Sequence, residues 1–562
     1  MCGIYFLVTE KTIDFKKKIL DVKSKLNHRG PDSLGHVLIN VPNSNTCILM
    51  VHTRLQINGN DNPQPIKNSS ETIYLIINGE IFNWHELEDE LNYKCKQSDC
   101  EIIIPLYEKY RETPQIIFEK LSGQFSFVLL DLEKNCVFIG RDHIGITPLY
   151  VGSNTDSVEF SSEMKVLIDD NKDKLIETFL PRSYYLSEIE NVLSYDSSKL
   201  SKYLHFNKYS SINNNYIEED SVEKIHNNIN KLLSDSVRSQ LLDMLNNNNG
   251  DFGVLLSGGL DSSLIASLVV KIAKEHNYEK KIKTFSIGTN KNAPDLIAAR
   301  QVSEFLGTEH YEYYFSIEEG LESLSNVVWY IESYDCTSVR ASTAMYLLTK
   351  KIKNDFGSLK VLFSGELSDE LLCYLYGANA PNDDSFQDET IQLVNNVHYF
   401  DCLRANKTCM ANSIEVRVPF TDKKYVNYIL NLHPKYKRFG KERGIEKKIL
   451  RDSFTNNYLP HNILYRKKEQ FSDGVSDFTK EYNWIDNLKE YTNKLYNHLQ
   501  FEKLNQDFTY NIPLTNEHLY YRMLFHYHFG QYNDSAELTV KKWTPKWCDT
   551  DDPSGRLQTF YN

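Results

Sequence analysis

Residues 252–263 read FGVLLSGGLDSS, and this stretch decides the fold of the larger part of the chain. Phe252 to Leu256 is a short apolar run of strand length. Behind it, Leu264, Ile265, Leu268, Val269 and Ile272 recur at helical spacing. Between the two lies Ser257-Gly258-Gly259-Leu260-Asp261-Ser262-Ser263. A glycine-rich turn that leaves a buried strand and opens a helix turns backbone N–H groups toward an anion, and the helix N-terminus favours negative charge there. Ser257, Ser262 and Ser263 add hydroxyl donors. The Gly-Lys-Ser ending of a Walker A loop is absent, so the stretch is a phosphate loop of another kind.

Working outward, apolar runs at Ile282 to Ile287 and Leu359 to Phe363 alternate with helical patterns, which predicts a parallel α/β sheet. From about residue 400 the pattern is mainly helical. Residues 1 to about 195 are instead β-rich: Thr72 to Ile77 (TIYLII), Phe125 to Leu132 (FSFVLLDL) and Cys136 to Gly140 (CVFIG) are short apolar runs bounded by turn residues. The polar, Asn/Ser-rich stretch from about 205 to 220 reads as a linker, and Asn246 to Asn249 as a loop.

The chain has 562 residues, too many for one ordinary core, so at least two domains are expected. A net charge of −13 argues against general nucleic-acid binding, which needs clustered Lys and Arg. Ten cysteines include no Cys-x-x-Cys pair, and their spacing fits neither a structural zinc site nor a disulfide framework. The lone His526-x-His528 reads as two ordinary histidines. No apolar run reaches membrane-spanning length, and Ile4 to Val8 lacks the flanks of a signal peptide. A cytoplasmic protein with no membrane or nucleic-acid partner is the expectation.

Cys2 carries chemistry of its own. Removal of Met1 would leave a thiol and a free α-amine on one residue, and that amine, with a pKa near ~8, can serve as general base for the thiol. Cys2-Gly3-Ile4 is followed in order by Arg29-Gly30-Pro31-Asp32, His52-Thr53-Arg54-Leu55, Asn78-Gly79-Glu80-Ile81-Phe82-Asn83, Ser98-Asp99-Cys100-Glu101 and Arg141-Asp142-His143-Ile144-Gly145. This series resembles the class II glutamine amidotransferases across the whole first domain. The resemblance implies an N-terminal-nucleophile hydrolase fold of α+β class, a four-layer αββα sandwich. Amide hydrolysis passes through a tetrahedral oxyanion, for which Asn78 and Gly79 supply a side-chain amide and a backbone N–H. Arg54 can take the substrate carboxylate bidentately and Asp99 its ammonium. The resemblance assigns Cys2, Asn78 and Gly79 to catalysis, and Arg54, Asn78, Glu80 and Asp99 to glutamine. Taken singly, Arg54 and Asp99 could be surface charges, Asn78-Gly79 a turn after a strand, and Arg29 with Asp32 a structural ion pair.

The stretch from Ser257 to Ser263 resembles the PP-loop of ATP pyrophosphatases, which belong to the adenine nucleotide alpha hydrolase-like folds. Later motifs are specific to the asparagine synthetase family: Thr284 to Gly288, Pro294-Asp295-Leu296, Glu332 to Thr343, Ser364 to Glu370, Arg404 to Lys407, Glu415 to Phe420, Lys467 to Gly474, and the terminal Asp551 to Arg556. The resemblance implies residues 1–200 as glutaminase, 201–220 as linker and 221–562 as synthetase. It makes Glu366 the base toward ammonia and Lys468 the charge stabiliser. It makes Asp261 and Asp369 the Mg2+ ligands. ATP, the co-substrate, would be held by Leu256, Ser257, Gly258, Gly259, Asp261, Ser262, Ser263, Gly288, Ser364 and Gly365. The implied function is ATP-dependent synthesis of asparagine from aspartate and glutamine-derived ammonia through β-aspartyl-AMP, with AMP, pyrophosphate and glutamate as products and a homodimer as assembly. The alternatives are a β-lactam synthetase-like cyclase and a non-enzymatic nucleotide or glutamine sensor.

The chain departs from the family at Leu367, where glycine is usual, and at Leu371-Leu372-Cys373-Tyr374, which lacks a glycine pair. Gln97 also stands where close relatives have glycine. Leucine does not take a positive φ at glycine's low cost, so a reshaped loop from Leu367 to Tyr374 is expected.

Overall fold

The computed structural model describes residues 1–42, 44–59, 64–168, 174–204, 206, 216–217, 221–246, 251–440, 443–530, 536–544 and 546–547. Most of the expected linker, nearly all of the second Asn run and the terminal 551–556 motif lie outside them. The chain forms two compact units. One is Met1–His205 with Met410–Ser413 and His526–Lys541, and the other is Phe206–Cys409 with Ile414–Phe525 and Lys542–Asn562.

The first unit holds two antiparallel six-stranded sheets. Gly3–Thr9 lies inside one, between Ser157–Ser161 and Cys47–Arg54; Ile73–Ile81 lies inside the other, beside Gly123–Asp131. The period-two alternation of a strand explains the layering. Tyr74 and Ile76 join Ile4, Phe6, Ile48 and Met50 in one core. Ile73, Leu75 and Ile77, pointing the other way, join Leu87, Ile103, Leu106 and Phe118 from the helices Trp84–Leu91, Ile103–Tyr110 and Pro114–Lys120. The opposite sheet is covered by Phe15–Leu26, whose Val22 and Leu26 are buried. This is the four-layer αββα sandwich. The strand expected to stop at Ile77 continues to Ile81, so Asn78-Gly79 is strand and not a turn.

The second unit is built on a five-stranded parallel sheet. Its spatial order is Glu309–Tyr314, Lys283–Gly288, Asp251–Leu255, Leu359–Phe363, Glu415–Arg417. The chain therefore winds outward from Asp251–Leu255 in one direction and then in the other. The switch between its pairings with Lys283–Gly288 and Leu359–Phe363 opens a crevice at the carboxyl ends of the strands, where such sheets bind ligands. The edge strand Glu415–Arg417 interrupts the region expected to be mainly helical. Three residues are too few to carry a period, and the strand exists because it pairs with Val361–Phe363.

Candidate functional site

In the first unit, Cys2 stands directly before the strand Gly3–Thr9, and its backbone N–H donates to Asn78 Oδ1 at 2.8 Å. That bond fixes the Asn78 amide. Its Oδ1 is used, and its Nδ2 is buried with no hydrogen-bond partner. A buried donor left unmade costs about 1–3 kcal/mol, which an oxygen anion arriving beside Cys2 would recover. Arg29, fully buried, donates from Nε to the Cys2 carbonyl at 3.0 Å and from Nη1 to Glu163 at 2.9 Å. Its role is therefore to clamp the backbone of Cys2, with Glu163 as its ion partner. Burial pushes the Cys2 thiol above its ordinary value, while the N-terminal ammonium and Arg54 pull the other way.

The expected glutamine contacts are all buried: Arg54, Glu80 and Asp99. Arg54 Nη2 donates to the Asn58 carbonyl at 3.0 Å, and Asn58 Nδ2 donates to Glu80 Oε2 at 3.0 Å. Asp99 accepts from the Ile81 N–H at 2.8 Å, which ties it to the strand that carries Asn78. Buried charges in hydrogen-bonded chains are not solvated surface groups. Asn58, which links Arg54 to Glu80, has no signal in the sequence: it lies in no motif and no periodic segment.

In the second unit, the crevice is walled by the loops that leave the two central strands, Ser257–Ser262 and Ser364–Glu370. Leu256, Phe285 and Ile287 form an apolar floor. Gly365 lets the loops approach: a Cβ there would lie 2.6 Å from the Ser262 nitrogen. Within the first loop, Ser257 and Ser262 hydroxyls lie 3.0 Å apart, and the Ser257 and Gly259 N–H groups donate to Ser262 Oγ and Ser257 Oγ. Of the expected nucleotide residues, Leu256, Ser257, Gly259, Asp261, Ser262, Ser364 and Gly365 line the crevice, whereas Gly258, Ser263 and Gly288 do not. Gly258 takes φ +73° and packs against Ala298 and Ala299, so its part is to turn the loop. Ser286 and Ile287 reach the crevice ahead of Gly288.

Four charges converge at its end. Lys447 Nζ lies 2.6 Å from Asp261 and 2.7 Å from Asp369, and Lys468 Nζ lies 2.7 Å from Asp369. Burial alone would raise the Asp369 carboxyl, but Lys447 and Lys468 hold it below the usual carboxylate range. Burial likewise opposes the Lys468 charge, and Asp369 and Asp261 outweigh it. Lys447 was not picked out from the sequence. It sits at φ +56° before the helix Lys448–Asp452, and nothing in its neighbours marks it. The pair of aspartates fits a magnesium ion: both offer carboxylate oxygens, and Asp261 Oδ1 is buried without a hydrogen-bond partner.

Glu366 pairs with Arg404 at 2.9 Å, and Arg404 also holds Asp401. Burial raises the Glu366 carboxyl despite Arg404, which makes it a better proton acceptor than a surface glutamate. Burial and Asp401 push Glu370 well above the ordinary value. Arg404, Asp401 and Glu370 all line the crevice. Leu367 takes φ +76° and Cys373 φ +59°. The loop therefore keeps left-handed turns at non-glycine residues, and Asp369 and Glu366 still face the crevice.

The family described as glutamine amidotransferase domain matches residues 1–219, and that described as asparagine synthase matches 228–381 and 374–549. A glutamine-hydrolyzing asparagine synthetase of Zea mays is 38% identical over 99% of this chain and 93% of its own length. A probable enzyme of that name from Schizosaccharomyces pombe is 40% identical over 99% of both chains. Another from Dictyostelium discoideum is 38% identical, over 100% of this chain and 99% of its own.

Proposed function

The chain belongs to the asparagine synthase family, and on that premise we propose that it makes asparagine from aspartate and ATP with ammonia released from glutamine. The observation that carries this is that one chain holds two clusters of the kind the two half-reactions need. One is Cys2 beside an unused Asn78 amide donor; the other is Asp261, Asp369, Lys447 and Lys468 gathered at the switch point of a parallel sheet. We place the glutaminase in residues 1–200 and the synthetase in 221–562, with 201–220 between them.

In the glutaminase, the Cys2 thiolate attacks the glutamine side-chain amide. Once Met1 is removed, the α-amine takes the thiol proton. Asn78 Nδ2 and the Gly79 N–H hold the oxyanion. Collapse releases ammonia and leaves a glutamyl thioester, which water hydrolyses to glutamate. Arg54 and Asp99 hold the carboxylate and ammonium of glutamine, with Glu80 braced by Asn58. In the synthetase, the β-carboxylate of aspartate attacks the α-phosphorus of ATP, giving β-aspartyl-AMP. The N–H groups and hydroxyls of Ser257–Ser262, with Lys447 and Lys468, hold the departing pyrophosphate. Mg2+, bound by Asp261 and Asp369, would neutralise phosphate charge. Ammonia then attacks the activated carbonyl, Glu366 takes the proton, and AMP leaves.

The same proposal includes a cytoplasmic homodimer. Among the described residues no helix is long and apolar enough to cross a membrane. The cyclase alternative has no support here, because the relatives named above hydrolyse glutamine and Cys2 keeps its Asn78 partner. The sensor alternative gains nothing from the departure at Leu367, because that segment keeps Glu366 and Asp369 in the crevice. Cys2→Ala tests the two-site arrangement: it should abolish glutamine-dependent synthesis and leave ammonia-dependent synthesis intact. Equal loss of both would refute it.

A further inference from the structure

Beside the main crevice of the second unit lies a smaller cavity that no step of the reaction has used. It shares Thr337, Glu370, Tyr374, Asp401 and Gln470 with the crevice and is closed on another side by Trp543. It shares nothing with the Ser257–Ser262 loop or the apolar floor. It therefore adjoins the carboxylate-rich end of the crevice, away from the nucleotide end.

Trp543 comes from the far end of the chain, and its contacts fall on the elements that shape this cavity. Its backbone N–H donates to Asp335 Oδ1 at 2.8 Å. The other oxygen of Asp335 accepts from the Ser338 N–H at 2.9 Å and caps the helix Cys336–Asp355, which contributes Thr337, Ala341 and Met345 to the crevice wall. The Trp543 ring meets Tyr374 edge-on, with centroids 5.7 Å apart, and Tyr376 at 5.5 Å. Four residues on, the Trp547 carbonyl accepts from Asn379 Nδ2 at 3.2 Å, and its ring packs on the cluster of Cys373, Ala380, Phe386 and Phe439. Lys546 pairs with Glu389 at 2.7 Å. Trp543, Lys546 and Trp547 thus hold to residues within Cys373–Ala380 and to Asp335 and Glu389 on either side. This is the part of the loop where Cys373 holds a left-handed conformation that a non-glycine residue keeps only under restraint by its surroundings.

We propose that Trp543, Lys546 and Trp547 form a strap over the synthetase site, in which Trp543 is a positioning residue that sets Tyr374 and the Asp335-capped helix against the space beside Glu366, at the carboxylate-rich end of the crevice, and that this space takes the aspartate. The proposal rests on the synthetase reading given above. The ring is the working part, because Tyr374 meets the Trp543 ring and Asp335 is reached by the backbone. Asp335 therefore keeps its hydrogen bond in Trp543→Ala and Trp543→Phe, while the Tyr374 contact follows the side chain.

The test uses the full chain and three variants, Trp543→Ala, Trp543→Phe and Lys546→Met. Aspartate-dependent exchange of pyrophosphate into ATP is measured alongside glutaminase activity. Trp543→Ala should raise the aspartate KM about tenfold, the scale expected for a misplaced binding wall. The ATP KM and the glutaminase rate should stay within about twofold, since the small cavity shares no lining residue with the Ser257–Ser262 loop and the glutaminase chemistry is assigned to the other unit. Trp543→Phe should recover most of the loss, and Lys546→Met should move the aspartate KM in the same direction by less. An unmoved aspartate KM in Trp543→Ala, with exchange present in the wild type, overturns the strap alone. Equal loss of glutaminase and exchange in the variants also overturns it, in favour of a general scaffold role. Absence of exchange from the wild type overturns the synthetase reading and the strap with it.

Discussion

Replacing Leu367 by glycine and by alanine separates two forces that act on this residue. Its backbone sits at φ +76°, ψ −16°, and its side chain is 1% exposed. A left-handed conformation at a non-glycine residue costs about 1–2 kcal/mol. Removing a buried leucine side chain costs about 2–5 kcal/mol. Alanine loses the packing and keeps the strain. Glycine loses the same packing, releases the strain and gives back about 0.5–1 kcal/mol as extra chain entropy in the unfolded state. Both variants should therefore be destabilised, but Leu367→Gly less than Leu367→Ala by about 0.5–1 kcal/mol. In an ordinary helix or strand the order is the reverse. Urea unfolding of the nucleotide-free protein, followed by tryptophan fluorescence, reads the order directly. The KM for ATP should change little in Leu367→Gly, because the wild-type loop already takes a left-handed turn that is open to glycine. Alanine more stable than glycine, or a large gain in ATP affinity on restoring glycine, would refute the reasoning.

Two further outcomes follow from buried groups. Burial lowers His52 to about 3, against an ordinary value of 6.5, so the folded state favours its neutral form. The stability it contributes is complete above pH 6.5 and is lost as pH falls toward 3, at about 1.4 kcal/mol per pH unit, or about 2 kcal/mol by pH 5. His52→Gln should flatten that part of the stability–pH curve for the first unit, and identical slopes would contradict the burial argument. Glu366→Gln should retain aspartate-dependent pyrophosphate exchange while asparagine formation falls about 100-fold or more, the scale of a lost general base; loss of both in a folded protein would move Glu366 from proton acceptor to adenylate formation.

Strands and charges were unequally legible in the sequence. Leu359–Phe363 was bounded correctly because an apolar run between polar neighbours suffices for a buried strand. The strand through Asn78 and Gly79 was cut short, since polar residues end an apolar run even where the ladder continues beside Gly123–Asp131. Asp261 and Asp369 were visible as motif residues, whereas Lys447, which touches both, was not. Its selection is made by tertiary contact across 186 residues to Asp261, which no local pattern encodes. Leu367 was legible as an anomaly but not in its outcome. The sequence shows a costly residue at the turn; only the surrounding burial shows that the turn is kept.

In the proposed reaction, ammonia from glutamine is joined to aspartate at the expense of the α–β bond of ATP. The direct measurement supplies glutamine labelled with 15N in the side-chain amide, together with aspartate and Mg-ATP. Label in asparagine and the yields of AMP, pyrophosphate and glutamate are then counted. Labelled asparagine should be matched one for one by AMP and pyrophosphate. ADP and phosphate as the nucleotide products, or AMP formed with no labelled asparagine, would contradict it.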